Sequence, residues 1–139
     1  MKQIFLEDLK DMTEVEIKAH IAGEYGGDKS GFDYGEPDAN DVANVAKTLE
    51  EYDVLVAYES VGSCGCDSSS YFLLQHKETG VYQEFSGSHC SCYGFEGQFD
   101  LQEAPIEYLK SDKFNFCCGG YDDNETENQQ AVKAFVSAL

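Results

Sequence analysis

Residues 71–85, YFLLQHKETGVYQEF, decide the fold. Tyr71–His76 and Val81–Phe85 have the aromatic and β-branched bias of strands, and Lys77-Glu78-Thr79-Gly80 between them is a turn ending on glycine. Two such runs across so short a turn predict an antiparallel hairpin. Just upstream, DVLVAYESVG (53–62) carries the same bias and predicts a further, at least partly buried strand. A short Gly/Ser/Asp loop over Cys64–Ser69 joins it to the hairpin, so the three strands should run up-down-up as an antiparallel meander. Phe114-Asn115-Phe116 is a candidate for a short fourth strand.

Working outward, the period changes from two to that of a helix. Residues 2–12 offer Ile4, Phe5, Leu9 and Met12 as the apolar side of a short helix. Thr13-Glu14-Val15-Glu16 is a capping box: the Thr oxygen accepts an amide of the first turn while Glu16 reaches back to the cap amide. A helix over about 14–22 follows, with Val15, Ile17 and Ile21 inward and Gly23 as its stop. Asp38 or Asn40 caps another to about Glu51, with Val42, Val45, Ala46 and Leu49 on one face. Downstream, Gln102–Lys110 reads as helical around Pro105, Ile106 and Leu109, and a last helix spans about 126–138. The expected class is α+β: a small antiparallel three- to four-stranded meander packed with N- and C-terminal helices, one acidic domain over residues 1–139. At 42 % apolar composition, 139 residues suffice for a real core.

Charge is the outlier. Against 27 Asp and Glu stand 9 basic residues, all Lys, for a net charge of −18. Such a field repels nucleic acid and anionic membrane and steers the molecule toward basic surfaces, which inside a cell are largely those that bind nucleic acid. Plain solubility is the competing explanation. The N-terminal MKQIFLEDLKDMTEVE carries acids within its first ten positions and no apolar h-region, and no run of about 18 apolar residues occurs. The expectation is a cytoplasmic protein.

Six cysteines without a signal peptide point to metal ligation, redox chemistry or buried thiols rather than a disulfide framework. They come in three pairs: Cys64 and Cys66, Cys90 and Cys92 beside His89, and the vicinal Cys117 and Cys118. In an up-down-up meander the first pair falls at the end of the first strand and His89–Cys92 at the end of the third, on the same edge of the sheet. One structural zinc is therefore a candidate cofactor, with four of these seven residues as tetrahedral ligands. The spacing departs from the usual C-x2-C knuckle. Compact thiols buried between Gly-rich turns are the alternative, and a thiolate–imidazole chemistry at His89–Cys92 is a third. His20 and His76, on a predicted helix and strand, are expected to be partly exposed. The glycines match no phosphate-binding pattern and the chain lacks Arg, which argues against a nucleotide hydrolase or kinase. No D-x-D-x-D-G calcium loop is present; Asp122-Asp123-Asn124-Glu125 reads as a solvated acidic run.

Residues 87–99, GSHCSCYGFEGQF, resemble a segment shared by a group of small bacteriophage and bacterial proteins, much like GSHCSCYG-x-E-x-Q followed by an aromatic. The resemblance spans about Tyr58–Leu109, including the hairpin. Cys64-Gly65-Cys66, Cys117-Cys118 and the N-terminal helices lie outside the shared pattern. What the resemblance implies is a phage origin; it assigns no biochemistry.

With that origin, the charge suggests a non-enzymatic protein that binds a host protein through its basic surface, a nucleic-acid-binding or defence protein, and inhibits or redirects it, as a DNA mimic would. The candidate contacts are the acidic aromatic loop (Asp28, Phe32, Asp33, Tyr34, Glu36), the helix-end acids Glu50 and Glu51, and the acidic run Asp122, Asp123, Glu125 and Glu127. Direct binding to nucleic acid or membrane is not expected. A zinc-stabilised interaction module is the alternative, and a Cys/His-dependent enzyme the second alternative.

Overall fold

The computed structural model describes residues 3–26, 39–61, 68–89, 99–114 and 125–139. Five strands form one mixed sheet in the order β1-β2-β3-β4-β5: Ile4–Glu7, Tyr52–Val61, Ser68–His76, Tyr82–His89 and Gln102–Glu103. β1 runs parallel to β2, and the remaining pairings are antiparallel. Four helices are described: α1 (Glu14–Gly26), α2 (Ala39–Leu49), the single turn α3 (Ile106–Leu109) and α4 (Glu125–Ser137).

The expected class, α+β, is what the chain adopts, and the meander 53–85 is present as β2-β3-β4. Two expectations are corrected. Residues 4–7 are a strand, because beside β2 their side chains are needed on both faces: Phe5 joins the core under α1 and α2, whereas Ile4 and Leu6 join the core under α4. A helix over 2–12 could bury only one stripe. Residues 102–103 likewise pair with Gln83 and Glu84 as an edge strand instead of opening a helix, and only Ile106–Leu109, after Pro105, is helical. The proposed fourth strand at 114–116 does not start at Phe114, which lies outside any strand; residues 115 and 116 lie outside the described residues. The meander is thus extended at both edges into a five-stranded sheet.

Both faces of the sheet are covered. Ile17, Ile21 and Tyr25 recur every fourth residue along α1 and, with Val45 and Leu49 of α2, close over Val54, Ala57, Phe72, Leu74 and Phe85. Phe72 and Phe85 stack at 4.9 Å between ring centroids, and Tyr25 meets Phe85 edge-on at 5.2 Å. On the opposite face Val132 and Val136 of α4, with Leu109 and Phe114, cover Leu55, Val56, Tyr58, Tyr71 and Leu73. Val15, expected to face inward, is 78 % exposed. The capping box forms as read: Glu16 N donates to Thr13 Oγ1 at 3.2 Å and Thr13 N to Glu16 Oε1 at 2.9 Å. Those bonds hold the Glu16 carboxyl below its ordinary range.

The division of β2 between the two cores depends on a bulge. Val54 pairs with Leu74 and Val56 with Leu73, so Leu55 is an extra residue on β2. Leu55 and Val56 both join the α4 core, and every later side chain is shifted by one face. Uninterrupted alternation would send Glu59 toward α4; the bulge sends it toward α1. At the hairpin, Gly80 adopts φ 74°, a left-handed conformation glycine takes without steric cost, and its amide donates to His76 O at 2.9 Å. His76 is half-buried, and its Nδ1 accepts the amides of Glu78 and Thr79.

One polar pair is set into the α4 face. Tyr71 donates to Glu84 Oε2 at 2.7 Å. Burial holds the Glu84 carboxyl above its ordinary value of 4.5, and the Tyr71 hydrogen bond opposes that shift only in part. A raised carboxyl means that the folded state binds its proton more tightly than the unfolded chain. Its contribution to stability is therefore greatest in acid and is lost as pH rises through the folded value. Glu84→Gln keeps an acceptor for Tyr71 without the charge. The variant should have a higher urea midpoint than wild type at pH 7, and the difference should vanish below pH 4.

Candidate functional site

The carboxyl ends of β1 and β2 define one end of the sheet, and at that end the core turns polar. Glu59, Ser60, Ser68, Ser69 and Ser70 are all buried. Register explains the grouping: Glu59 stands opposite Ser70, Ser60 opposite Ser69, and Ser68 opposite His89. Helix α1 caps this end on one face. His20 Nε2 lies 2.8 Å from Glu59 Oε2, and the Tyr25 hydroxyl hydrogen-bonds Ser70 Oγ. Burial drives the Tyr25 phenol far above its ordinary range; the Ser70 bond opposes the shift, and the charge of Glu59 adds to it. Tyr25 is thus a neutral hydrogen-bonding group at any physiological pH.

On the other side of Glu59, its backbone carbonyl accepts Asp8 N at 3.0 Å, and its β1 partner Glu7 takes φ 55°. Glu7 Oε1 accepts Asn128 Nδ2 of α4 at 2.7 Å. This bond ties the first turns of α4 to the same end of the sheet. Two polar atoms here have no hydrogen-bond partner among the described residues: Glu59 Oε1 and Ser68 Oγ.

The same end collects the flanks of all the chemically distinctive segments. The chain leaves β2 at Val61 and returns at Ser68, on either side of Cys64 and Cys66. It leaves β4 at His89, beside Ser68, ahead of Cys90 and Cys92, and returns at Phe99, 5.0 Å from Phe85. Phe114 packs on Tyr71 at 6.2 Å and Asn128 on Glu7, which flank Cys117, Cys118, Asp122 and Asp123. Tyr25, the penultimate residue of α1, precedes the segment with Asp28, Phe32, Asp33, Tyr34 and Glu36. These cysteines and acids themselves lie outside the described residues, as does the side chain of His89.

The remaining predicted contacts divide between the two ends. Glu127 is exposed in the first turn of α4, one residue before Asn128, and Glu125 begins that helix. Glu50 and Glu51 are exposed in the turn before β2, at the opposite end, where Glu51 O accepts Lys77 N. From Tyr52 to Glu59 the strand rises about 23 Å. Hence Glu50 and Glu51 do not share a patch with Glu127. Among the described residues no three His, Cys, Asp or Glu are grouped as a metal site, and no helix is long and apolar enough to cross a membrane.

Sequence reasoning missed Glu59, His20, Tyr25, Ser68 and Ser70. The available signal was Glu59 itself, a carboxylate inside the apolar run VLVAYESV. His20 was expected to be partly exposed and is, but its ring reaches a buried acid. Comparison with protein-family models, with curated proteins and with solved structures found no match.

The Tyr25–Ser70 bond joins α1 to β3 in a buried setting, where an orphaned hydroxyl is costly. Tyr25→Phe should destabilise the protein by about 1–2 kcal/mol in urea unfolding, and adding Ser70→Ala should cost little more. Additive losses would show that the bond does not couple the two elements.

Proposed function

We propose that this is a small acidic, phage-encoded protein that binds a basic, nucleic-acid-binding surface on a host protein and so inhibits or redirects it. The observation that carries the reading is the charge: −18 over 139 residues, with 27 acids against 9 lysines. A chain with this field is repelled by nucleic acid and competes for the surfaces that bind it. The flanks of residues 27–38 and 115–124 lie at the same carboxyl end of the sheet, on its two faces. That supports assigning the contact to Asp28, Phe32, Asp33, Tyr34, Glu36, Asp122, Asp123, Glu125 and Glu127. Glu50 and Glu51, at the far end, become peripheral to it.

The test is capture of a partner from host extract on the immobilised full chain, followed by titration of the purified partner. Affinity should fall about tenfold or more between 50 and 200 mM salt, as electrostatic association requires. Neutralising Asp28, Asp33 and Glu36, or Asp122, Asp123 and Glu127, should weaken binding, whereas Glu50→Gln with Glu51→Gln should leave it within about twofold. An affinity indifferent to salt sinks the proposal.

A second reading is favoured by one observation: the described flanks of all three cysteine pairs lie at that same end. On this reading the cysteines, with or without His89, hold one structural zinc that staples the end of the sheet. Native mass spectrometry should then find one zinc per chain, with chelation releasing it together with the folded charge states. Six free thiols on a metal-free folded chain would remove this reading and leave the first intact.

A further inference from the structure

We propose that Glu59 and Ser68 are the protein ligands of a small, hard, oxygen-seeking cation held inside the carboxyl end of the sheet. Glu59 is 7 % exposed and Ser68 3 %, and Glu59 Oε1 and Ser68 Oγ both lack a hydrogen-bond partner among the described residues. Buried polar atoms without partners are rare and costly, and two on neighbouring strands are not independent accidents. Register relates them directly. Ser70 stands opposite Glu59, and Ser68 is two residues along β3 from Ser70, hence on the same face and diagonal to Glu59.

The chemistry of the site selects the ligand. Glu59 Oε2 is already engaged by His20 Nε2, which orients the carboxylate and leaves Oε1 as the ligating atom. Among the described residues only His20 stands within ion-pair distance of Glu59, and it is taken up by Oε2, so Oε1 is left without a partner. Lys18, the nearest lysine on α1, is 3.5 Å from Glu14 and donates to Tyr52 O, toward the other end of the sheet. Tyr25 stays neutral and is bonded to Ser70. One carboxylate oxygen and one hydroxyl oxygen are hard donors, suited to Mg2+, Ca2+ or Mn2+ with water completing the shell. A water donating to both Oε1 and Ser68 Oγ is the competing occupant, and the behaviour of Ser68→Ala in chelator separates the two. The site is separate from any thiolate zinc centre, because these cations take oxygen ligands and leave thiolates alone.

The experiment is thermal unfolding and calorimetry of the full chain in metal-free buffer with about 0.15 M KCl, which screens diffuse counter-ion binding. Mg2+, Ca2+ and Mn2+ are each titrated into wild type, Ser68→Ala and Glu59→Gln. Wild type should bind one cation, with Kd on the order of 10⁻⁴–10⁻³ M for so few charged ligands, and its melting temperature should rise to saturation. Ser68→Ala should be as stable as wild type or more so in chelator, since it deletes an unpartnered hydroxyl, yet bind the cation several-fold more weakly. Glu59→Gln should abolish the site; if it fails to fold, Ser68→Ala decides. The proposal is overturned by no saturable site in wild type, or by an equal cation response in wild type and Ser68→Ala. A Ser68→Ala variant already destabilised in chelator also overturns it, because the hydroxyl would then have a water or protein partner in the cation-free fold.

Discussion

The extra residue in β2 governs what the two faces of the sheet can be. Val54 lies against α1 and α2, Leu55 and Val56 both lie against α4, and from Ala57 onward the alternation is inverted. Since strand side chains alternate with a period of two, one inserted residue exchanges the fate of every later position. Tyr58 thereby enters the α4 core and Glu59 meets His20. Without the bulge, Glu59 would face the α4 side of the sheet, away from His20, and Tyr58 would face the α1 side.

That inversion also explains why the polar residues concentrate at one end. Val54–Tyr58 and Tyr71–Leu74 are apolar on both faces, as a sheet covered on both sides requires. Beyond them come Glu59, Ser60 and the Ser68–Ser70 run, whose small hydroxyls permit close approach and demand hydrogen bonds. Tyr25 answers one of these demands and His20 another. The parallel β1–β2 pair has its carboxyl termini here too, and in sheets with parallel strands this is the end at which chain segments converge to make sites. The cysteine pairs and the acidic loop are inserted into the chain at points flanking this end.

The acidic surface and the polar end answer to different physics. Exposed carboxylates such as Glu50, Glu51 and Glu127 contribute little to stability individually and act through their summed field, which salt screens. Glu59 and Glu84 are buried or half-buried, so each needs a specific partner, Tyr71 for Glu84 and His20 for Glu59. A total charge of −18 therefore bears on association, and shielded carboxylates such as Glu59 and Glu84 bear on how the core is held.

Local signals in the chain determined the hairpin at 71–85, the capping box at Thr13–Glu16, the apolar stripes of α1, α2 and α4 and the α+β class, because turn chemistry, caps and periodicity act over a few residues. The common sheet end of the flanks of Cys64/Cys66 and His89–Cys92 was legible as well, since it follows from alternating strand direction alone; that of Cys117-Cys118 was not, because it rests on the long-range contacts of Phe114 and Asn128. The identity of residues 4–7 was not legible, because Ile4, Phe5 and Leu6 suit a strand only once β2 lies beside them with cores on both faces. The two-residue strand at Gln102 was hidden for the same reason: its pairing with β4 is a long-range contact. Above all, only the tertiary structure decided the face of Glu59. The insertion at Leu55 leaves no mark in a run of apolar residues, and packing of α1 and α4 on opposite sides of the sheet chooses where the alternation breaks.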